Sequence, residues 1–242
     1  MCIRDSYYDD IVLKGLMLAA ADMHRGALLP ERATQINRVV QELVHDLDGH
    51  DDIDPAPGAT EQPLAGRRRE DRDVPVTPPP LEDAPAKELL PLRWQQGHPV
   101  LCVAGRGPLD LAASSMLAQL LQKHEIGARI ASHADVSRDT IESLDKSGVA
   151  MICIWYLDLS GNPVRIRGLL RRLRQHIPGV PILVGLLPDS ASQQGEAGKQ
   201  GDSVADAEFR NQIGADYYAS TLAEAVSHCV RFAKEEAAEL AA

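Results

Sequence analysis

The chain has 242 residues, which is enough for one or two domains. Hydrophobic residues make up 44% of it and aromatic residues only 4%, so a core must be built mainly from aliphatic side chains. The net charge of −10 excludes a protein that coats nucleic acid or an anionic membrane over its whole surface, although a local basic patch is compatible with it. No apolar run reaches the roughly 18–20 residues that span a bilayer, so we expect a soluble chain.

Residues 1–6 resemble a translated sequencing-adapter scar, so we expect the natural chain to continue upstream of Tyr7. Residues 7–48 are predicted to form a helical hairpin, because apolar residues recur at helical spacing on both sides of Gly26. Pro30 suits the first turn of the second helix. A hairpin alone buries too little surface to be stable, so we expect it to need a partner surface.

Residues 49–97 are predicted to be a disordered, partly polyproline linker. They hold 9 of the 16 prolines, together with acidic clusters and three consecutive arginines, and they show no apolar period. Such a segment cannot bury enough surface to offset the entropy that is lost when it becomes ordered. Near its end, the residues from Leu89 to Trp94 are predicted to form an anchoring turn.

From His98 onward, apolar strand-like runs alternate with helix-like segments. The predicted strands are 100–104, 128–132, 149–157, 181–187 and 215–219, and the predicted helices are 108–124, 137–146, 164–176, 205–213 and 221–240. Strands that are apolar throughout are typical of a parallel sheet covered on both faces. Right-handed crossovers then favour an α/β, flavodoxin-like, doubly wound sheet of five strands in the order 2-1-3-4-5 over residues 98–242. The helix 108–124 is interpreted as amphipathic, and Thr221 with Glu224 as a capping box for the last helix.

Open parallel sheets bind ligands outside the carboxyl ends of their strands, so the loops there are informative. The two glycines of the loop after the first strand allow close approach of backbone N–H groups, and the arginine between them adds positive charge, so an anion could dock there. The alternative is a tight turn in which Asp110 complements the dipole of the following helix. The candidate ligand-binding residues at the three strand ends are Gly105, Arg106, Gly107, Tyr156, Asp158 and Pro188.

The same strand ends offer no catalytic constellation. Asp158 lies where a receiver domain keeps its phosphoacceptor, but Ala104 and Ala219 stand near the positions at which that chemistry needs acidic residues and a lysine. The histidines lack carboxylate or cysteine partners at metal-ligand spacing, and the four cysteines form no metal motif. We therefore predict no enzyme activity, no metal site, no bound cofactor and reduced cytoplasmic thiols.

The helix 164–176 carries an unusual number of basic residues. A solvated basic face is the plain interpretation, and docking onto an acidic protein surface or anionic lipid headgroups is the alternative. Nucleic acid is not expected as a partner, because no aromatic stacking platform accompanies the basic residues. The candidate partner-binding residues are Arg165, Arg167, Arg171, Arg172 and Arg174.

Residues 98–110, 116–129, 171–185 and 214–218 resemble the cytosolic tail of proteobacterial permeases of the autoinducer-2 exporter-like family. Residues 7–10, the hairpin and the acidic linker are similar to the segment that joins the membrane core of these permeases to the tail. The resemblance implies a cytoplasmic regulatory or interaction domain whose full-length protein lies in the bacterial inner membrane. Its implied partner is the transmembrane permease core, which is absent from this chain.

The tail also resembles cobalamin-binding domains, especially over residues 178–185. Those domains carry Asp-x-His-x-x-Gly after the first strand, and the histidine ligates cobalt. Here the loop from Gly105 to Asp110 has no histidine, and the usual Gly-Gly after the fourth strand is Gly185-Leu186. The resemblance therefore implies a degenerate cobalamin-binding-like fold without its cofactor.

Two functions remain open. The first is a non-enzymatic regulatory or interaction domain of a membrane permease. The second is a sensor that binds an anion, a nucleotide or a cobalamin-like ligand at the strand ends. A homo-oligomer is compatible with either function.

Overall fold

The structure, a computed structural model, describes residues 3–48, 91–95, 97–157, 163–186 and 204–241. The predicted linker lies outside these residues except for its last few positions. Five strands form one all-parallel sheet in the order β2-β1-β3-β4-β5, which confirms the predicted flavodoxin-like arrangement. The strands are β1 (Val100–Ala104), β2 (Ala128–Ala131), β3 (Met151–Tyr156), β4 (Ile182–Leu186) and β5 (Tyr217–Ala219).

Eight α-helices accompany the sheet in the described part of the chain. They are α1 (Ile3–Tyr7), α2 (Lys14–His24), α3 (Pro30–Asp48), α4 (Leu92–Gln95), α5 (Asp110–Lys123), α6 (Pro163–His176), α7 (Val204–Ile213) and α8 (Leu222–Ala241). A π-helical segment (Tyr8–Leu13) joins α1 to α2 without a break. The first helical arm therefore begins upstream of Tyr7, and the interpretation of residues 1–6 as a scar stays a prediction.

Successive residues of the inner strands point alternately to two hydrophobic cores, as the strand period of two requires. One core lies between the sheet and α6 with α7, and the other lies between the sheet and α5 with α8. Both faces of β1 and β3 are buried along their whole length. This double burial explains why these strands read as continuous apolar runs in the sequence.

The predicted helix 137–146 is wrong, because the structure has a series of turns there. Short polar side chains bond to one another and to nearby backbone groups, and such bonds compete with helix formation. Asp135 accepts the Ser132 N–H at 2.7 Å, Ser137 and Thr140 share a hydroxyl bond at 2.8 Å, and the Ser143 hydroxyl donates to the Thr140 carbonyl at 2.7 Å. The buried side chains of Val136 and Ile141 anchor these turns in the core shared with α6.

Helix α5 is not amphipathic as predicted, because it is buried on both sides. Residues 112–121 are all buried, and the stretch 111–121 contains no charged residue. A helix that is apolar all round belongs in the interior of a protein. Its inner side lies on the sheet, and α3 packs on its outer side.

The N-terminal helices pack on the α/β unit, which provides the partner surface that we expect the hairpin to need. Helix α3 packs on α5, while α1 and the π-helical segment pack on α8. Burial raises the pKa of Tyr8 to about 12, so its hydroxyl stays protonated, and it donates to the side-chain oxygen of Gln119. The amide nitrogen of Gln119 donates in turn to the carbonyl of Val44 in α3. These bonds satisfy a polar side chain that is only 5% exposed.

The beginning of α8 is capped twice. The predicted capping box forms, since Thr221 Oγ1 accepts the Glu224 N–H at 3.1 Å and Glu224 reaches back to the Ser220 N–H at 2.7 Å. In addition, the carboxylate of Asp9 accepts the N–H groups of Leu222 at 2.7 Å and Ala223 at 3.0 Å. A residue of the N-terminal layer thereby satisfies helix donors at the other end of the chain.

The short helix α4 confirms the predicted anchoring turn. Trp94 is fully buried, and its indole N–H donates to Glu236 Oε2 of α8 at 2.8 Å. Its ring lies 6.1 Å from that of Phe232. Every helix in the described ranges is too short or too polar to cross a membrane.

Replacing Asp9 by alanine is expected to lower the free energy of unfolding by about 1–2 kcal/mol, because two N–H groups at the start of α8 lose their acceptor. Asp10→Ala is the matched control, since Asp10 is exposed and forms an ion pair with the exposed side chain of Lys14. Its expected effect is below about 0.5 kcal/mol. Urea denaturation at pH 7 measures both variants, and equal losses would contradict the capping role of Asp9.

The ionisation of Asp9 makes the stability of the chain depend on pH. Burial raises the pKa of Asp9 above 3.8, outweighing the two backbone bonds that lower it. The part of the stability that depends on protonation of this group is therefore full below pH 3.8 and is lost as the pH rises through the raised pKa. The side chain of an Asp9→Asn variant cannot ionise. The unfolding free energy of this variant minus that of the wild type should therefore increase as the pH rises through this window.

Candidate functional site

The strand-end crevice lies at the point where the chain leaves β1 and β3 toward opposite faces of the sheet. The loop after β1 continues directly beside the end of β3, and the Gly105 N–H donates to the Trp155 carbonyl at 2.9 Å. Residues 105–109 then lead into α5. A ligand that binds at the strand-end crevice would contact these residues first.

Asp110, the first residue of α5, fills the crevice with its own carboxylate. Its side chain is only 2% exposed. Oδ2 accepts the Gly107 N–H at 2.7 Å, and Oδ1 accepts the Leu157 N–H at 3.0 Å. Backbone N–H groups of this kind would otherwise face a bound anion. The arrangement therefore disfavours an external phosphate or carboxylate at this position.

The two glycines of the loop serve close packing around that carboxylate. A Cβ added at Gly105 would lie 2.3 Å from Asp110 Oδ2, 2.6 Å from the Trp155 carbonyl oxygen and 2.6 Å from Tyr156 Cδ1. A Cβ at Gly107 would lie 3.0 Å from both carboxylate oxygens of Asp110. This packing favours the tight-turn interpretation over the anion-docking one.

The other candidate ligand residues do not converge on an open crevice. Tyr156 is 8% exposed, and burial together with the charge of Asp110 raises its pKa, so it remains a neutral phenol. Arg106 is exposed. Asp158 and Pro188 lie outside the described residues. Of the six candidates, Gly105, Gly107 and Tyr156 are thus brought together, and they surround Asp110.

A small cavity beside the crevice was not foreseen from the sequence. Its volume is about 220 Å³, and it lies between the end of α2 and the loop that precedes α5. Drug-sized ligands occupy cavities of about 300–1,000 Å³, so this one is too small to enclose a nucleotide or a cobalamin. Its lining residues are Ala20, Met23, His24, Gly107, Pro108, Leu109 and Asp110.

Space next to the fourth strand is also occupied by the chain itself. A Cβ added at Gly185 would lie 2.1 Å from Cε3 of Trp155, whose indole is fully buried. Gly185 is the residue that the resemblance to cobalamin-binding domains would place at the start of their Gly-Gly pair. The indole of Trp155 therefore fills the space that this glycine leaves open.

The corner beyond β2 is positively charged. Burial lowers the pKa of His133, and the nearby charges of Arg106 and Arg172 lower it further, so the imidazole is neutral at pH 7. The guanidinium of Arg172 donates to the Val136 carbonyl at 2.7 Å. The contact fixes the turns after β2 onto α6.

The five arginines of α6 do not act as one group. Arg172 holds the turns after β2, and Arg174 donates to the Gly214 carbonyl at 2.9 Å and to Asp216 Oδ1 at 3.1 Å. Asp216 in turn accepts the Ile182 N–H at 2.8 Å, so this contact organises the entry to β4. Arg165, Arg167 and Arg171 are exposed.

Three buried thiols lie together in the core under α8. The sulfur atoms of Cys153 and Cys229 are 3.7 Å apart, and Cys102 is the register partner of Cys153. Burial raises the pKa of Cys102, whereas the hydrogen bond with Cys229, together with burial, raises the pKa of Cys153. Protonated thiols in a closed core are unreactive, so we interpret them as packing residues.

Across the ranges that the structure covers, His, Cys, Asp and Glu form no group of three or more that could hold a metal ion. Comparisons of the chain with protein-family models, with curated proteins and with solved structures find no match.

Replacing Gly105 by alanine is expected to lower the free energy of unfolding by about 1–3 kcal/mol, because the new Cβ would collide with backbone and with Asp110. Gly168→Ala is the control, since nothing lies within 4 Å of a Cβ there. Alanine is the better helix former, so this change in α6 should raise stability by about 0.5–1 kcal/mol. Thermal and urea denaturation measure both, and a neutral Gly105→Ala variant would contradict the close packing.

Proposed function

We propose that this chain is a non-enzymatic regulatory or interaction domain, the cytoplasmic part of a bacterial inner-membrane permease. The observation that carries the proposal is the buried carboxylate of Asp110, bound to the Gly107 and Leu157 N–H groups. It occupies the position at which an open parallel sheet receives its ligand. A fold whose crevice is filled by its own side chain is suited to recognition through its outer surfaces.

The chemistry at the crevice supports a non-enzymatic role. General acid–base catalysis needs a side chain whose pKa lies near the working pH and which can reach a substrate. Tyr156 has a raised pKa and is buried, and the Asp110 carboxylate is committed to two backbone donors. Neither group is placed to exchange a proton with a molecule from solvent.

The permease assignment rests on the resemblance of residues 98–110, 116–129, 171–185 and 214–218 to the tail of autoinducer-2 exporter-like permeases. The packing of the N-terminal helices agrees with it in one respect. Helices α1 to α3 form a covering layer on α5 and α8, so a segment entering from upstream would reach the α/β unit through this layer. The layer would then connect a membrane core rigidly to the domain.

A small-ligand sensor is the second candidate, and the cavity of about 220 Å³ favours it. Its walls combine apolar side chains with His24 and Asp110. A carboxylate in the wall favours a small ligand that donates hydrogen bonds or carries positive charge over an anion. The cavity lies between the N-terminal layer and the crevice loop, so a bound ligand would change how the two pack.

The proposal predicts that the intact chain binds none of phosphate, nucleotides or cobalamins in isothermal titration calorimetry, because Asp110 holds the donors. Saturable binding of phosphate or a nucleotide with a dissociation constant below about 1 mM would overturn it. Binding of a small amine that is lost in a His24→Ala variant would instead support the sensor. Asp46→Ala, which removes a charge from α3 without touching the cavity lining, serves as the control variant.

The permease assignment has a separate test. Genomic DNA upstream of the codon for Tyr7 is expected to encode several transmembrane helices in the same reading frame. Cloning and sequencing that region decides the point. An upstream reading frame without hydrophobic segments of about 20 residues would overturn the permease assignment and would leave the crevice argument unchanged.

A further inference from the structure

Helix α6 concentrates positive charge in an acidic chain. It holds five arginines and no acidic residue over Pro163–His176, whereas the whole chain has a net charge of −10. Its inner stripe, formed by Ile166, Leu169, Leu170 and Leu173, is buried against the sheet. Packing therefore fixes which side of the helix faces solvent.

Three of the five arginines remain available on that solvent side. Arg172 and Arg174 are committed to neighbouring segments. Arg165, Arg167 and Arg171 are exposed, and they form no hydrogen bond or ion pair with any residue that the structure describes. Their guanidinium groups can therefore meet an external partner without breaking an internal contact.

An apolar side chain accompanies these charges. Val164 is 68% exposed, the highest value among the exposed large hydrophobic residues that the structure describes. Positions 164, 167 and 171 follow the i, i+3, i+7 spacing of one helix face, with Arg165 at its border. Gly168 lies on the same face, and nothing lies within 4 Å of a Cβ added there. Because glycine has no side chain, the surface between the arginines is recessed. We call Val164, Arg165, Arg167 and Arg171 the α6 arginine face.

We propose that the α6 arginine face docks onto anionic phospholipid headgroups. The guanidinium group binds phosphate oxygens through paired hydrogen bonds, and an exposed valine beside such groups suits the boundary between headgroups and acyl chains. The cytoplasmic leaflet is anionic and attracts arginines near its surface. The proposal rests on the proposed function, because attachment to a membrane core would keep the domain beside that leaflet.

The small size of the face favours lipid over an acidic protein. A specific protein interface buries about 800 Å² on each partner and involves about 20–30 residues a side. The α6 arginine face offers four residues on one helix. A membrane surface needs no matching shape, since binding grows with the number of cations that reach it. The rest of the acidic chain is repelled, and this repulsion orients the domain with α6 toward the membrane.

The test uses the full chain and vesicles of phosphatidylglycerol and phosphatidylcholine in co-sedimentation at low salt. The wild type should partition onto phosphatidylglycerol vesicles and not onto pure phosphatidylcholine, and added salt should weaken binding. Each arginine contributes about a five-fold factor, so Arg165→Gln, Arg167→Gln and Arg171→Gln combined should lower partitioning roughly 100-fold. Unchanged thermal melting shows that the variant is folded.

The matched control is the combination Arg32→Gln, Arg38→Gln and Arg231→Gln. It changes the net charge by the same amount at exposed arginines of the N-terminal layer and α8, on the other side of the sheet from α6. It should leave partitioning within about two-fold of the wild type. Equal losses in the two triple variants would overturn the proposal, because binding would then follow net charge alone.

Two further results would also overturn it. One is the absence of wild-type binding to phosphatidylglycerol vesicles at low salt. The other is binding of polyglutamate through the same three arginines without binding of vesicles, since that would assign the face to an acidic protein. Vesicle binding is measured on this chain alone, so its failure leaves the permease assignment to be decided by the upstream reading frame.

Discussion

The burial of α5 on both sides is the constraint on which the architecture depends. No charged residue lies between Leu111 and Leu121, so neither side of this helix can face water at low free energy. The sheet covers one side, and the N-terminal helices cover the other. The polar side chain of Gln119 is placed so that Tyr8 and Val44 satisfy it from that outer layer. The α/β unit therefore presents a surface that is complete only when the layer is in place.

The same helix determines the character of the crevice. Because α5 begins with Asp110, its carboxylate lies where the N–H groups of the loop and of Leu157 converge. The Asp110 carboxylate thus supplies the negative charge that the N-terminus of a helix attracts. Trp155 fills the space above Gly185 in a comparable way. Because side chains of the chain itself fill the space at the strand ends, the groups that are free to meet a partner lie on the surface, above all on α6.

Sequence patterns were sufficient for the sheet and insufficient for the contacts between distant segments. Continuous apolar runs predicted β1, β3 and β4, and the crossover rule predicted the strand order, because both depend on local composition and chain handedness. The helix 137–146 failed because serine, threonine and aspartate side chains bond locally in ways that periodicity does not register. The roles of Asp110, Arg172 and Arg174 depend on partners 47, 36 and 40 residues away, respectively, and no local pattern distinguishes Arg172 from Arg171.

The contact between Asp9 and Leu222 joins residues that are 213 positions apart. During synthesis the first helical arm leaves the ribosome 213 residues before the α8 donor of Leu222 that its carboxylate accepts. The inner side of the first arm, which packs on α8, must therefore stay partly uncovered until α8 has been synthesised. Such long-range closure slows folding and exposes the nascent chain to association with other chains. This chain should accordingly depend on chaperones more than a flavodoxin-like unit that completes its core within its own span.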